Sequence, residues 1–130
     1  MFNSIKTSKV NKERVMQLTR KLNLGAENVI ARLALSYSLA SDKKLSLSEV
    51  QDSQGKEYSR KVLFGEYDVY YIALLCVHYN LHKSDRDISK LIKLHIDDGL
   101  EMLAEEVEKL GASSGTDFII QKIECGLKMN

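Results

Sequence analysis

With 130 residues, 44% of them apolar, the chain has enough material for one hydrophobic core, and its apolar residues recur too regularly for extended disorder. A formal net charge of +1 conceals two opposed halves: residues 1–65 carry eight Lys and four Arg against six acids, a net of +6, whereas residues 66–130 carry six Lys and one Arg against twelve acids, a net of −5. Two cysteines, Cys76 and Cys125, exclude a disulfide framework, and neither the N-terminus nor the apolar run 69–77 has the length of a signal peptide or membrane span, so a soluble, cytoplasmic protein is expected.

Residues 2–8 alternate, with Ser4, Lys6 and Ser8 on one face, and read as a short strand. Ser8 or Asn11 then caps a helix whose stripe is Val15, Leu18 and Leu22 and which Gly25 ends. A second helix opens near Ala26 and reaches Ala40; Val29, Ile30, Leu33, Leu35, Tyr37 and Leu39 make it apolar enough to require a partner helix or a second subunit. Residues 41–57 are a polar loop, and 58–64 a second short strand before Gly65. Residues 69–81 are apolar on all sides, which places a helix in the middle of the core.

Ser84 and Asp87 resemble a capping box opening a helix with Ile88, Leu91 and Ile92 inward. Ile96, Leu100, Leu103, Val107 and Leu110 continue it, and Gly99 leaves one bent helix or two equally open. Residues 111–115 form a break, after which a last helix buries Phe118, Ile119, Ile123 and Leu127. The fold class is mostly α: residues 1–130 as a single helical domain of five or six helices with one or two short strands, its N-terminal unit ribbon-helix-helix-like.

Little points to catalysis. His78 and His82 stand four apart on an expected helix, but no further ligand has a fitting spacing, so no metal site is expected. Asp97, Glu101 and Glu105 read as a solvated row. Tyr67, Tyr70, Tyr71 and Tyr79 read as core or subunit packing rather than base-stacking platforms. No Gly-rich phosphate loop and no nucleophile motif occurs, so neither catalytic residues nor a cofactor are expected. The remaining signal is the basic set: Lys6, Lys9, Lys12, Arg14, Arg20 and Lys21, then Lys43, Lys44, Lys56, Arg60 and Lys61, of which all but Arg20 are candidate contact residues. Fourteen Lys against five Arg favour phosphate contact over base readout, because the ammonium is a point charge and bidentate base recognition leans on arginine.

Three stretches carry a family resemblance: residues 24–35 (Leu-Gly-Ala-Glu-Asn-Val-Ile-Ala-Arg-Leu-Ala-Leu), 55–65 (Gly-Lys-Glu-Tyr-Ser-Arg-Lys-Val-Leu-Phe-Gly) and 95–100 (His-Ile-Asp-Asp-Gly-Leu). In these, and in length and segment order, the chain resembles the DndE family, small components of the bacterial DNA sulfur-modification (phosphorothioation) system. It departs from the family pattern at Glu27, near which proline is common, and at Ala31, where cysteine is.

The resemblance implies a non-catalytic accessory protein, tetrameric, that binds double-stranded DNA, notably nicked duplex, through surface lysines beside other sulfur-modification proteins. Only the exposed basic positions named above can inherit that contact role. Two other readings stay open: a ribbon-helix-helix repressor reading DNA through Ser4, Lys6 and Ser8, and an adaptor docking through its acidic helix without touching DNA.

Overall fold

A computed structural model of the chain describes residues 2–111 and 115–129. Strand β1 (Ser4–Lys6) leads into α1 (Lys9–Leu22) and α2 (Glu27–Ala40). A polar loop with one 3-10 turn then reaches β2 (Glu57–Ser59) and the short α3 (Arg60–Phe64), followed by α4 (Asp68–Tyr79), α5 (Ile88–Leu110) and α6 (Gly115–Met129). The two strands pair antiparallel, with Ile5 opposite Tyr58 and both side chains buried; the strand–helix–helix order therefore holds, with β2 of the same chain as the partner of β1.

The molecule is organised around α5, whose 23 residues span about 34 Å. Helix α2 lies along it, and no other pair of elements packs so extensively. Gly99 is the reason they approach so closely: a Cβ there would fall on the Ala34 carbonyl. The glycine accordingly does not split α5, which runs unbroken from Ile88 to Leu110. Ile30, Ala31, Ala34 and Leu35 from α2 meet Ile92, Ile96, Leu100 and Leu103 from α5 in one buried cluster.

This arrangement decides between the two partners expected for α2 and corrects the placement of α4. The apolar face of α2 is covered by α5 within the chain. Helix α4, expected at the centre, is peripheral: it buries Ile72 and Leu75 but leaves Val69 73%, Tyr70 67%, Leu74 44% and Val77 83% exposed. A helix apolar on all sides is a helix whose faces must all be covered, and hydropathy does not distinguish cover by the same chain from cover by another.

Smaller differences have local causes. Residues 58–64 do not form one strand, because the Ser59 hydroxyl accepts from Val62 N at 3.1 Å and starts α3. Helix α1 stops at Leu22, ahead of Gly25, where Asn23 takes the left-handed conformation (φ 51°) and its N–H reaches Thr19 O. Ser84 is bonded to His82 (2.7 Å), so no capping box forms and α5 begins at Ile88. His82 lies beyond α4 and shares no helix face with His78.

Helix α6 buries Phe118 and sets Lys122 over the Tyr37 ring (5.2 Å) and against Glu106 (3.5 Å), while Ile119 and Ile123 are exposed. The side chains of Leu110 and Leu127, and residues 112–114 of the expected break, lie outside the described residues. Among those described, no helix is long and apolar enough to cross a membrane.

A buried polar chain locks α2, α4 and α5 together. Leu45 N–H donates to the Tyr79 hydroxyl (2.8 Å), which lies 2.6 Å from His95 Nε2; His95 Nδ1 lies 2.8 Å from Ser38 Oγ, which donates to Asp98 (2.7 Å). A neutral His95 fits this chain with its proton on Nδ1, which leaves Nε2 to accept from Tyr79. Burial, and next the neighbouring His78, lower its pKa to about 4 from an ordinary 6.5, against the opposing pull of Asp98.

An unfolded chain takes up this proton near pH 6.5 and the folded one only near pH 4. The stability His95 contributes is therefore whole above about pH 6.5 and is lost as the pH falls toward 4. Urea midpoints measured between pH 7.5 and 4 should fall more steeply for the native chain than for His95→Gln; equal slopes would show that His95 is not the titrating group.

Candidate nucleic-acid interface

The hairpin and the start of α1 present the first basic residues. Strand alternation turns Ile5 and Tyr58 inward and leaves Lys6 exposed. Glu57, across from Lys6, accepts instead from the Ser4 hydroxyl (2.7 Å), so Lys6 has no ion-pair partner among the described residues.

Ser8, the expected cap, is buried: its Oγ accepts from Asn11 N (3.3 Å) and its own N–H donates to Asp97 (3.0 Å). It therefore leaves the face it was expected to share with Ser4 and Lys6. Lys9 N–H donates to Asp52 (2.9 Å), as does Gln54 N–H (3.1 Å). These bonds, Lys9 first, hold the Asp52 carboxyl below the usual carboxylate range. Two carboxylates thus occupy backbone donors at the start of α1, and what remains for an incoming anion is the lysine side chains.

Helix α1 divides its own basic residues. Asn11, Val15, Leu18 and Leu22 form the buried face. Lys9, Lys12 and Arg20 fall on the outer side at 100° per residue and are exposed. Arg14 and Lys21 fall on the opposite flank, where they line a cleft of about 240 Å³ with Val107 and Glu108 of α5; Arg14 also donates to Asn11 Oδ1 (3.1 Å).

The later basic residues divide in the same way. Lys43 pairs with Asp98 (3.2 Å), Lys56 with Glu27 (3.3 Å) and Arg60 with Asp68 (2.8 Å). Lys44, in the loop after α2, and Lys61, in α3, are exposed and without ion pairs among the described residues. Lys6 at the end of β1 and Lys9 and Lys12 in the first turn of α1 are therefore exposed close together in sequence, whereas Arg14 and Lys21 line the cleft beside α5.

The acidic row of α5 is not uniform either. Asp97 is 2% exposed and sits between Lys93 (3.0 Å) and Asn11 (2.7 Å), whereas Glu101 and Glu105 are exposed. The Ser38, His95 and Asp98 trio has the composition of a hydrolytic triad but not its wiring, since Asp98 holds the serine rather than the histidine. Ser38 and His95 are both fully buried, so no substrate reaches them. Among the described residues no three His, Cys, Asp or Glu side chains are grouped to hold a metal ion.

Sequence reasoning missed Lys83 and Arg86. Weighing charge by halves placed them in the acidic one, although the local order Lys-Ser-Asp-Arg ahead of α5 was readable; both are exposed and border a cavity beside Phe2.

The three stretches that carry the family resemblance meet in space. Asn28 Nδ2 donates to Val62 O (3.0 Å) and Arg32 Nε to Leu63 O (2.8 Å), joining the first stretch to the second. Ala34 packs on Gly99 and Ser38 bonds His95, joining α2 to the third.

The comparisons agree with this core. A crystal structure of DndE from Escherichia coli B7A, described as involved in DNA phosphorothioation modification, matches with a TM-score of 0.64 at 20% identity, covering 79% of this chain and 98% of that one. A DndE G21/24K mutant structure matches with a TM-score of 0.65 at 21% identity and the same coverage. These likenesses speak for the fold. No curated protein matches the chain. The family model described as "DNA sulphur modification protein DndE" matches residues 4–109, from β1 almost to the end of α5; this chain belongs to the DndE family.

Proposed function

We propose that this chain is a non-catalytic, cytoplasmic accessory protein of DNA phosphorothioate modification, and that it grips the sugar–phosphate backbone of double-stranded DNA through lysines. The observation that carries the reading is the group Lys6, Lys9 and Lys12, exposed, free of ion pairs among the described residues, and set on a family fold associated with DNA sulfur modification. Lys44 and Lys61 add two further uncommitted charges.

Lys43, Lys56 and Arg60 contribute only by exchanging a carboxylate for a phosphate, and Arg14 and Lys21 lie on the acidic flank of α5. Each ammonium placed against the duplex releases condensed counterions, which gives affinity without sequence preference. A nick removes bending stiffness and lets the duplex follow a curved surface at lower cost, which supports the nicked duplex as the better ligand.

Assembly is part of the same reading. The outer face of α4 carries Val69, Tyr70, Leu74 and Val77 with no charged residue among them, and a second copy of the same helix is its natural cover in an isologous contact. A second such interface would give the tetramer, and the other sulfur-modification proteins would then meet the assembled form.

In fluorescence anisotropy titrations, log K should fall linearly with log salt for intact and nicked duplex, and Lys6→Ala/Lys9→Ala/Lys12→Ala should flatten that slope by about 3. An affinity indifferent to salt contradicts backbone gripping. Light scattering of the native chain should give a multiple of 14.7 kDa, reduced by Val77→Lys; a native mass of 14.7 kDa would refute assembly through α4.

A further inference from the structure

Two adjoining cavities share the ring of Phe2. One, of about 440 Å³, is lined by Lys83, Arg86 and Ser89 among others. Its neighbour, of about 360 Å³, is lined by Asn3, Ser59, Arg60 and Lys61. Arg60 and Lys83, one from each side, also line a third concavity together along α4.

The carboxylates in the lining are engaged. Asp68 holds Arg60 at 2.8 Å, and Asp85 accepts from Asp87 N–H at 2.8 Å. Lys61, Lys83 and Arg86 have no ion pair among the described residues. Arg60 is held in place from two sides, by Asp68 and by the Phe2 ring 5.5 Å beneath its guanidinium, and Phe2 itself packs edge-on against Phe64 (6.5 Å).

We propose that this trough is a phosphate-binding site, with Lys83 and Arg86 seating the anion on one side of Phe2 and Arg60 and Lys61 on the other. Lys61, Lys83 and Arg86 supply the uncommitted charge, Arg60 joins them by exchanging Asp68 for the anion, and the hydroxyls of Ser59 and Ser89 supply neutral donors beside them. Bidentate arginine and point-charge lysine together suit the several oxygens of a phosphate better than the two of a carboxylate.

The source of the phosphate rests on the backbone reading above. Asn3 lies three residues before Lys6, about 10 Å along an extended strand, which places the trough at the N-terminal end of β1, one strand length from Lys6. A strand of nucleic acid following Lys12, Lys9 and Lys6 enters the trough.

The test combines duplex titration by fluorescence anisotropy with amide chemical shifts under inorganic phosphate. Lys83 and Arg86 are exposed and lie outside α4 and α5, so Lys83→Ala/Arg86→Ala keeps the fold. That variant should lose roughly tenfold or more in duplex affinity at 0.1 M salt and about 2 in salt slope. Lys83→Arg/Arg86→Lys should retain binding, which separates lost charge from lost structure.

Inorganic phosphate should shift the Asn3, Ser84 and Ser89 amides of the native chain and not those of the alanine variant. Phosphate shifts with no duplex binding by the native chain would keep the site and refute the DNA reading. Phosphate shifts with an unchanged duplex affinity in the variant would assign the site to free phosphate. Unchanged duplex affinity together with the absence of phosphate shifts overturns the proposal.

Discussion

Asp97 is the residue on which the rest of the structure turns. Its carboxylate sits on α5 at 2% exposure and accepts from Ser8 N–H, from Asn11 Nδ2 and from Lys93 Nζ, while Lys93 also donates to Asp52 O at 2.7 Å. One buried ion pair on α5 thereby fixes two segments that are remote from it in sequence: the cap and first turn of α1, and the loop at Asp52. Removing one partner of such a pair leaves a buried charge uncompensated and typically costs about 3–5 kcal/mol. Gly55 lets the loop pass directly over the Ser8 backbone, where a side chain would collide. The lysines at 6, 9 and 12 are presented by a segment that is held from beneath.

Along α5 the charge changes from mixed to mostly acidic: Lys83, Asp85, Arg86, Asp87 and Lys90 stand before and at its first turn, whereas Glu101, Glu105, Glu106 and Glu108 occupy its second half with Lys109 in the last turn. Ion pairs sort the remaining cations: Lys43, Lys56 and Arg60 are held by carboxylates, while Lys6, Lys9, Lys12, Lys44 and Lys61 hold no carboxylate among the described residues.

Much of this was legible in the residues. The apolar stripe of α1, the Ser8 cap, the break at Gly111 and the family resemblance all follow from local patterns, because helix periodicity and capping act over a few residues. Tertiary facts were not legible. Asp97 looks like the first member of a solvated row, and only its opposition to Asn11 and Lys93 makes it a buried hub. Gly99 looks like a helix breaker until Ala34 is placed against it. Helix α4 lies at the periphery and not at the expected centre because composition records how much apolar surface needs cover and not which chain supplies it. The basic residues are readable in the sequence, but their division into paired and unpaired sets depends on partners as remote as Asp98 from Lys43.

The most direct measurement is residue-resolved lysine modification, read by mass spectrometry with and without a saturating duplex. The account predicts that Lys6, Lys9, Lys12, Lys44 and Lys61 lose reactivity when the duplex is present, while exposed Lys109, at the acidic end of α5, reacts as before. Equal protection of all exposed lysines, or protection of Lys109 with none at Lys6, Lys9 and Lys12, would contradict it.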